Sequence, residues 1–180
     1  MRTVALYGGS FDPPHRGHEA VVKALLADDE IEKIIIMPTY LNPFKESFFA
    51  PASLRLAWLR EIFEDESRVV VSDFEVNMGR KVPTIETVKF LQKRYANIAL
   101  VIGADNLASL HKWQEYNLLK ESVSFIVATR DKIAIPSKYK HLDVDVPISS
   151  SELRKSFSTD MLVEKNATLI EKYYKEKNEQ

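Results

Sequence analysis

The stretch Thr3–Ala27, TVALYGGSFDPPHRGHEAVVKALLA, decides the fold. It opens with Thr3–Tyr7, an apolar run of strand length, and two glycines follow directly. A helical spacing of apolar residues begins at His18 and is carried by Val21, Val22, Leu25 and Leu26. A strand that passes through a glycine turn into a helix is typical of α/β proteins, in which the helix leads to the next parallel strand.

The remainder of the chain repeats this alternation. Further apolar runs of strand length are Lys33–Met37, Arg68–Ser72, Ile98–Ile102, Ser124–Ala128 and, more weakly, Leu142–Val146. Helical spacing recurs in Pro51–Phe63 and Thr84–Tyr95. Most of the runs are continuously apolar rather than alternating, which indicates strands that are covered on both faces. The pattern therefore predicts a mostly parallel sheet between two layers of helices.

The last part of the chain is patterned differently. Ser149 and Glu152 have the spacing of a capping box and predict a helix that runs to about Phe157. A second helix is predicted over Leu162–Tyr174, and the polar tail Lys175–Gln180 is expected to fray. We predict an α/β fold: one domain over 1–180, with a Rossmann-like, mostly parallel sheet and helices on both faces. Its core would span about 1–147, and a small C-terminal helical part about 148–180.

Composition excludes several classes of protein. The chain has 180 residues, 45% of them hydrophobic, and a formal net charge of −1. The apolar content excludes a disordered chain, and the balanced charge offers no general positive field for nucleic acid. With no cysteine, the chain has no disulfide and no thiolate metal site. No apolar stretch approaches the roughly 18 residues of a membrane span. We expect a cytoplasmic protein with no nucleic-acid or membrane partner.

The segment GGSFDPPHRGH, residues 8–18, carries the chemistry. Two glycines behind a strand let main-chain N–H groups approach a phosphate, and the next helix directs its positive end to the same place. His15 and His18 lie three residues apart at that turn and can both face the site. We interpret them as phosphate donors, since no supporting carboxylate or thiolate suggests a metal pair. The segment is neither a Walker P-loop nor a dinucleotide-binding fingerprint.

A second anion site is indicated far downstream, in Ile148-Ser149-Ser150-Ser151-Glu152-Leu153-Arg154. Serine hydroxyls and free N–H groups at a helix start can bind an anion, and Arg154 adds a planar cation one turn later. Taken alone, this segment would be read as an ordinary capping box. The N-terminal segment makes the phosphate interpretation the stronger one.

These two segments resemble the H-x-G-H and I-S-S-T/S-x-I/L-R motifs of a nucleotidyltransferase superfamily. Three segments between them resemble the nicotinate-nucleotide adenylyltransferases, the enzymes that make deamido-NAD. They are Met37–Lys45, Val82–Val88, and Ile102–Asn106 followed by Trp113. The signatures extend from Val4 to Arg154 in the order of that family.

The resemblance implies adenylyl transfer from ATP to nicotinate mononucleotide in NAD biosynthesis. ATP would be co-substrate, with Mg²⁺ held mainly through its phosphates and no metal site in the protein. ATP would be bound by Gly8, Gly9, Ser10, Phe11, His15, His18, Asp105, Ile148, Ser149, Ser150 and Arg154. The mononucleotide would be bound by Lys45, Thr84, Trp113 and Arg130. The catalytic set would be His15, His18, Lys45 and Arg154. Within these sets, Asp105 is expected as a buried acceptor for ribose hydroxyls and Trp113 as a platform for the pyridine ring.

Two positions depart from the family pattern. Phe44 stands where the family usually has His, and Gln114 follows Trp113 where some members carry an aromatic residue. Plainer structural roles also stay open. Trp113 fits a packed aromatic residue, Asp105 fits an N-cap for a turn at Asn106–Leu110, and Lys45 fits a solvated surface cation.

The sequence is also compatible with two functions other than nicotinate-nucleotide adenylyl transfer. Another enzyme of the superfamily, a pantetheine-phosphate adenylyltransferase or a cytidylyltransferase, would share the H-x-G-H chemistry, although the pantetheine enzyme typically has T-x-G-H. A non-catalytic nucleotide-binding sensor would keep the pocket without turnover. The sequence leaves open the preference for nicotinate or nicotinamide, loop closure, rates and oligomeric state, a homo-oligomer included.

Overall fold

The structure is a computed structural model and describes residues 2–144, 146–156 and 158–180. Within these ranges, six strands form one sheet in the order β3-β2-β1-β4-β5-β6, and every pairing is parallel. The strands are β1 (Thr3–Gly9), β2 (Ile31–Pro38), β3 (Val69–Val71), β4 (Ile98–Gly103), β5 (Ser124–Ala128) and β6 (Lys140–Leu142). The predicted α/β fold is confirmed.

Helices connect the strands and close the C-terminus. They are α1 (Arg16–Leu26), α2 (Ala52–Ile62), α3 (Phe74–Met78), α4 (Thr84–Gln92), α5 (Tyr116–Ser122), α6 (Ser150–Lys155) and α7 (Ala167–Asn178). The short helices α3 and α5 were not expected from the sequence. Among the described residues, no helix has the length and apolar character needed to cross a membrane.

The two faces of the sheet bury separate hydrophobic clusters. Neighbouring residues of β2 illustrate the alternation, because Ile34 packs in one cluster and Ile35 in the other. Helices α1 and α2 cover the first face, and α4 and α5 cover the second. A third cluster joins α2 to the C-terminal helices around Trp58 and Tyr174. Burial on both faces explains why the strands lack a polar alternation.

The last strand lies earlier than predicted. The expectation of a strand over Leu142–Val146 is wrong, since β6 ends at Leu142. Beyond it, the N–H and C=O of Val144 bond to the hydroxyl of Thr129, which replaces the ladder to β5 with a side-chain contact. Asp145, within the predicted strand, lies outside the described residues.

The C-terminal helices also differ from expectation. Helix α6 ends at Lys155, and its predicted end, about Phe157, lies outside the described residues. Helix α7 starts at Ala167 instead of Leu162, because two single 3₁₀ turns precede it. The expected fraying is wrong as well, since α7 continues to Asn178 and its last turn bonds to the rest of the protein. The residues predicted on its apolar face are all buried: Leu162, Val163, Ala167, Ile170 and Tyr174.

Candidate active site

The candidate site lies where the strand order reverses, between β1 and β4. The chain proceeds from β1 outward to β3 on one side, and from β4 outward to β6 on the other. The carboxyl ends of these two central strands, at Gly9 and Gly103, open a crevice between the departing loops. Ligands of parallel α/β sheets bind in such a crevice.

The two histidines cap the helix that follows β1. The main-chain N–H of Gly17 donates to Nδ1 of His15 at 3.0 Å, and the N–H of His15 donates to Nδ1 of His18 at 3.1 Å. Two otherwise unpaired donors at the start of α1 are thereby satisfied. Gly17 is required by this arrangement, because a Cβ there would stand 2.8 Å from the ring of His15.

Both imidazoles are neutral in this environment. Burial lowers the pKa of His15 to about 3. Burial, and then electrostatic interactions with His15 and Arg130, lower the pKa of His18 well below its usual value. The two rings also stack, with centroids 3.7 Å apart. Because each Nδ1 accepts a main-chain hydrogen bond, the remaining proton of each ring is on Nε2. The histidines therefore offer two neutral Nε2–H donors.

The ring of Phe11 packs against the ring of His18. Phe11 is 2% exposed, and its ring lies 4.7 Å from that of His18 and 5.4 Å from that of Tyr7. Its backbone has φ 49°, a left-handed conformation that is costly for a residue with a side chain. The side chain of Phe11 is thus part of the core.

The downstream motif meets the N-terminal one. Nη1 of Arg154 donates to the main-chain carbonyl of Asp12 at 2.5 Å, and the hydroxyl of Ser150 donates to the carbonyl of Pro13 at 3.0 Å. Ser149 caps α6, since its hydroxyl accepts from the N–H of Glu152 at 3.1 Å. The segment therefore caps helix α6 and at the same time contacts the N-terminal motif. The carbonyl of Ile148 also approaches α1 near Gly17.

Lys45 reaches the same place from the loop after β2. Its Nζ donates to the hydroxyl of Ser10 at 3.3 Å. Lys45 is an exposed residue, as a surface cation would be, but partial desolvation and the charge of the neighbouring Arg154 lower the pKa of its ammonium group. Ser10, Lys45 and Arg154 line one cleft with an open volume of about 390 Å³. Three polar groups from distant parts of the chain thus face a common space.

Arg55 organises this cleft and was not found from the sequence. It is 1% exposed, and its guanidinium donates to the main-chain carbonyls of Ser10, Thr39, Tyr40 and Ala50 at 2.6 to 2.9 Å. A guanidinium has several donors in one plane and can satisfy such a set at once. The available signal was its helical spacing with Trp58 and Ile62, which places it on the buried face of α2.

Asp12 is a second residue without a role predicted from the sequence. It is 3% exposed, and its carboxylate accepts from the N–H groups of Phe49 at 2.7 Å and Ala50 at 2.9 Å. The hydroxyl of Tyr174 donates to the same carboxylate. The loop that carries Lys45 is therefore held from both sides, by Asp12 and by Arg55.

A second, larger cleft lies on the other side of the strand ends. Its open volume is about 860 Å³, and it is lined by Gly8, Gly9, Phe44, Thr84 and Trp113, among others. Thr84 is the first residue of α4, so the N-terminus of that helix faces the cleft. Phe44 is exposed and lies opposite Trp113, with ring centroids 6.5 Å apart. Within the described part of the chain, the buried Nε1 of Trp113 has no hydrogen-bond partner.

Glu75 is an acidic residue in the wall of this cleft that the sequence did not reveal. Its Oε1 accepts from the hydroxyl of Thr87 at 2.5 Å, and both residues line the cleft. Burial raises the pKa of Glu75 to about 7. Glu75 lies on the short, unexpected helix α3, and no motif distinguished it from a surface carboxylate.

Asp105 and Arg130 differ from their expected surroundings. Asp105 is exposed rather than buried, and it lies inside a 3₁₀ turn that begins at Ala104. The expectation that it caps a turn at Asn106–Leu110 is wrong, because Gly103 occupies the cap position. The charge of Arg130 contributes to the lowered pKa values of both motif histidines and also acts on Tyr7, a residue that lines the second cleft.

Comparisons with known proteins agree with this geometry. The family model described as cytidylyltransferase-like matches residues 6–156. A protein of Sulfurimonas denitrificans named "Probable nicotinate-nucleotide adenylyltransferase" is 57% identical over 99% of this chain and 98% of its own length. A protein of the same name from Campylobacter fetus subsp. fetus is 43% identical over 97% of this chain and 98% of its own.

A solved structure shares the fold. It is that of Plasmodium falciparum nicotinic acid mononucleotide adenylyltransferase complexed with NaAD, with a TM-score of 0.76 and 23% identity. The match covers 99% of this chain and 97% of the other. From the family model and the relatives together, the chain belongs to the cytidylyltransferase-like family and, within it, to the nicotinate-nucleotide adenylyltransferases.

Proposed function

We propose that this chain transfers the adenylyl group of ATP to nicotinate mononucleotide, which yields deamido-NAD and pyrophosphate for NAD biosynthesis. The observation that carries the proposal is the contact between Arg154 and Asp12, which joins the two phosphate motifs at one cleft beside Lys45. The adjoining cleft, lined by Thr84 and Trp113, offers the aromatic wall expected of a site for a pyridine nucleotide.

The reaction needs alignment and charge compensation. A 5′-phosphate oxygen of the mononucleotide attacks the α-phosphorus of ATP, and the bond from that phosphorus to the bridging oxygen of pyrophosphate breaks. The attacking oxygen is already anionic at neutral pH, so no general base is required. Catalysis of phosphoryl transfer then rests on positioning and on groups that stabilise the spreading negative charge.

We assign the triphosphate to the first cleft and the adjoining turn. The Nε2–H groups of His15 and His18 would donate to phosphate oxygens, together with main-chain N–H groups of Gly9, Ser10 and Phe11. Lys45 and Arg154 would neutralise the β- and γ-phosphates that leave, and the hydroxyl of Ser150 would contribute a hydrogen bond. Gly8, which lines the second cleft, would border the ATP site together with Ile148 and Ser149, and the exposed carboxylate of Asp105 would accept from ribose hydroxyls.

We assign the mononucleotide to the second cleft. Trp113 and Phe44 line this cleft with ring centroids 6.5 Å apart and planes inclined at 42°, so the pyridine ring would stack on Trp113 with Phe44 beside it. Phe44 supplies an apolar wall in place of the imidazole common in the family. Thr84 would hold the substrate at the start of α4, and Arg130 would act from the side of the first motif.

Mg²⁺ would enter with the ATP phosphates. Among the described residues, no group of three or more His, Cys, Asp or Glu side chains could hold a metal ion. The buried carboxylate of Asp12 is already occupied by two main-chain donors and a hydroxyl. A hexacoordinate ion that keeps phosphate and water ligands suits such a site.

Incubation with ATP, Mg²⁺ and one mononucleotide at a time tests the proposal. We expect pyrophosphate and deamido-NAD with nicotinate mononucleotide, and an Arg154→Ala variant serves as the inactive control. ATP binding without any dinucleotide would favour the nucleotide sensor. In parallel assays, product formed only from ATP and phosphopantetheine, or only from CTP, would favour another enzyme of the superfamily. The names of the relatives support the nicotinate enzyme.

A further inference from the structure

The C-terminal half of α7 bonds directly to the candidate active site. The hydroxyl of Tyr174 donates to Oδ1 of Asp12, Nζ of Lys177 donates to the carbonyl of Phe49, and Nδ2 of Asn178 donates to the carbonyl of Arg154 at 3.4 Å. These residues lie beyond the segment 6–156 that the family model matches. Three contacts from one helix face thus converge on the residues around the first cleft.

We propose that Tyr174 is a positioning residue for the triphosphate of ATP, acting through Asp12 on Lys45 and Arg154. The inference rests on the proposed function and adds to it an element outside the family motifs. Tyr174 would not touch the substrate. It would hold the carboxylate that in turn holds the cation-bearing parts of the site.

Asp12 is the centre of this arrangement. Its carboxylate accepts from the N–H groups of Phe49 and Ala50 at the end of the Lys45 loop, while its main-chain carbonyl accepts from Arg154. The Asp12 side chain thus fixes the loop that carries Lys45, and its main chain fixes Arg154, so the position of this one residue sets the distance between the two cations. Tyr174 supplies a third donor to the carboxylate, at the Oδ1 that also accepts from Ala50.

Phe49 gives the same helix a second route to Arg154. The guanidinium of Arg154 lies over the ring of Phe49, 4.1 Å from its centroid. Asp12 holds the N–H of Phe49 and Lys177 holds its carbonyl, so both polar groups of that residue's backbone are fixed. The ring on which the guanidinium rests is thereby tied to α7.

The hydroxyl of Tyr174 can be tested as a donor to Asp12 separately from the packing of the ring. The side chain is 1% exposed, and its ring packs against Trp58 with centroids 6.0 Å apart. Burial raises the pKa of the hydroxyl, so it stays a neutral donor to the carboxylate. Replacement by Phe removes the donor and keeps the ring. Tyr173 is a matched control, because its ring also packs on Trp58, at 5.5 Å.

The test compares Tyr174→Phe with Tyr173→Phe in the full chain. We expect Tyr174→Phe to raise the KM for ATP and the Kd of a non-hydrolysable ATP analogue by about three- to tenfold and to lower kcat, with the KM for nicotinate mononucleotide unchanged within about twofold. Tyr173→Phe should leave all four constants within about twofold of the wild type. Calorimetric titration gives the analogue affinity without turnover.

A second pair of variants covers the case in which Tyr174→Phe folds poorly. Lys177→Met removes the contact to Phe49, whereas Lys175→Met removes only an ion pair with Glu171 on the surface of α7. Lys177→Met should weaken ATP-analogue binding and Lys175→Met should not. Melting temperatures of all four variants report folding separately.

Two results would overturn the inference. One is a lower melting temperature of Tyr174→Phe with unchanged ATP constants, which indicates a purely structural role. The other is an equal rise of both KM values. A wild-type protein that makes no deamido-NAD would contradict the proposed function alone, since the analogue affinities would still decide the role of Tyr174.

Discussion

Arg154 donates from Nη1 to the main-chain carbonyl of Asp12 across 142 positions of sequence. This contact brings the helix α6 motif against the glycine-rich turn after β1, and Ser150 reinforces it through the carbonyl of Pro13. The two phosphate motifs thus form one continuous site.

His18 is predicted to donate a hydrogen bond to a phosphate oxygen in the transition state. His18→Ala should lower kcat by on the order of 10²-fold, because removal of one preorganised donor typically has that effect. His111→Ala is the matched control, since His111 is exposed on a separate turn. Steady-state rates and far-ultraviolet circular dichroism measure activity and folding. Near-wild-type turnover in His18→Ala would remove this residue from the mechanism.

The low pKa of His15 predicts a specific acid sensitivity. Because the folded protein lowers this pKa from 6.5 to about 3, it binds fewer protons than the unfolded chain between these values. The stability that His15 contributes is fully present above the unfolded pKa and is lost as the pH falls toward the folded one. Urea titrations should show the free energy of unfolding decreasing over that window.

The same neutrality should be visible in the kinetics. Between about pH 7 and 9, kcat should show no ionisation from either motif histidine, since both are already neutral. An inflection in this range that disappears in His18→Asn but persists in His111→Asn would show that an imidazolium takes part in the reaction.

Trp113 is predicted to bind the pyridine ring together with Phe44. Trp113→Ala should raise the KM for nicotinate mononucleotide by about tenfold or more and that for ATP by less, because a stacked aromatic contact contributes about 0.5–1.5 kcal/mol beyond its buried area. Phe44→Ala should act in the same direction with a smaller effect. Lys112→Ala, on the exposed turn beside Trp113, is the control. Equal increases in both KM values would exclude Trp113 as the ring platform.

Glu75 should make stability depend on pH in the opposite sense to His15. Folding raises its pKa from 4.5 to about 7, so the folded protein binds more protons in that interval. Its contribution is therefore greatest below pH 4.5 and declines as the pH rises to about 7, by at most about 3 kcal/mol.

Glu75→Gln tests this prediction, because the amide keeps an acceptor for Thr87 and cannot ionise. The free energy of unfolding of the variant minus that of the wild type should be larger at pH 8 than at pH 5, by about 1–3 kcal/mol in denaturant unfolding. The exposed Glu121→Gln should show no such difference. A pH-independent effect of Glu75→Gln would mean that this carboxyl group titrates normally.

The sequence predicted those strands and helices whose formation depends on neighbouring residues alone. Strand β1 and helix α1 follow from an apolar run, a glycine turn and helical spacing, and the structure extends the strand by only two residues. The end of β6 could not be predicted in this way. It depends on the hydroxyl of Thr129, which bonds to the main chain of Val144, 15 residues later in the sequence.

Long-range contacts also explain the residues that sequence reasoning missed. Arg55 and Asp12 each bond to main-chain groups in the loop after β2, and only the folded chain brings those groups together. The last turn of α7 looked like a polar tail because its partners, Phe49 and Arg154, are distant in sequence. Asp105 lies in the expected loop, but its exposure depends on the turn that starts at Ala104.

A crystal structure of the protein with a non-hydrolysable ATP analogue and nicotinate mononucleotide tests the central claim most directly. We predict one triphosphate in hydrogen-bond contact with Nε2 of His18 on one side and with the guanidinium of Arg154 on the other. A bound analogue whose phosphates contact only one of these groups, with the other turned away from the ligand, would contradict it.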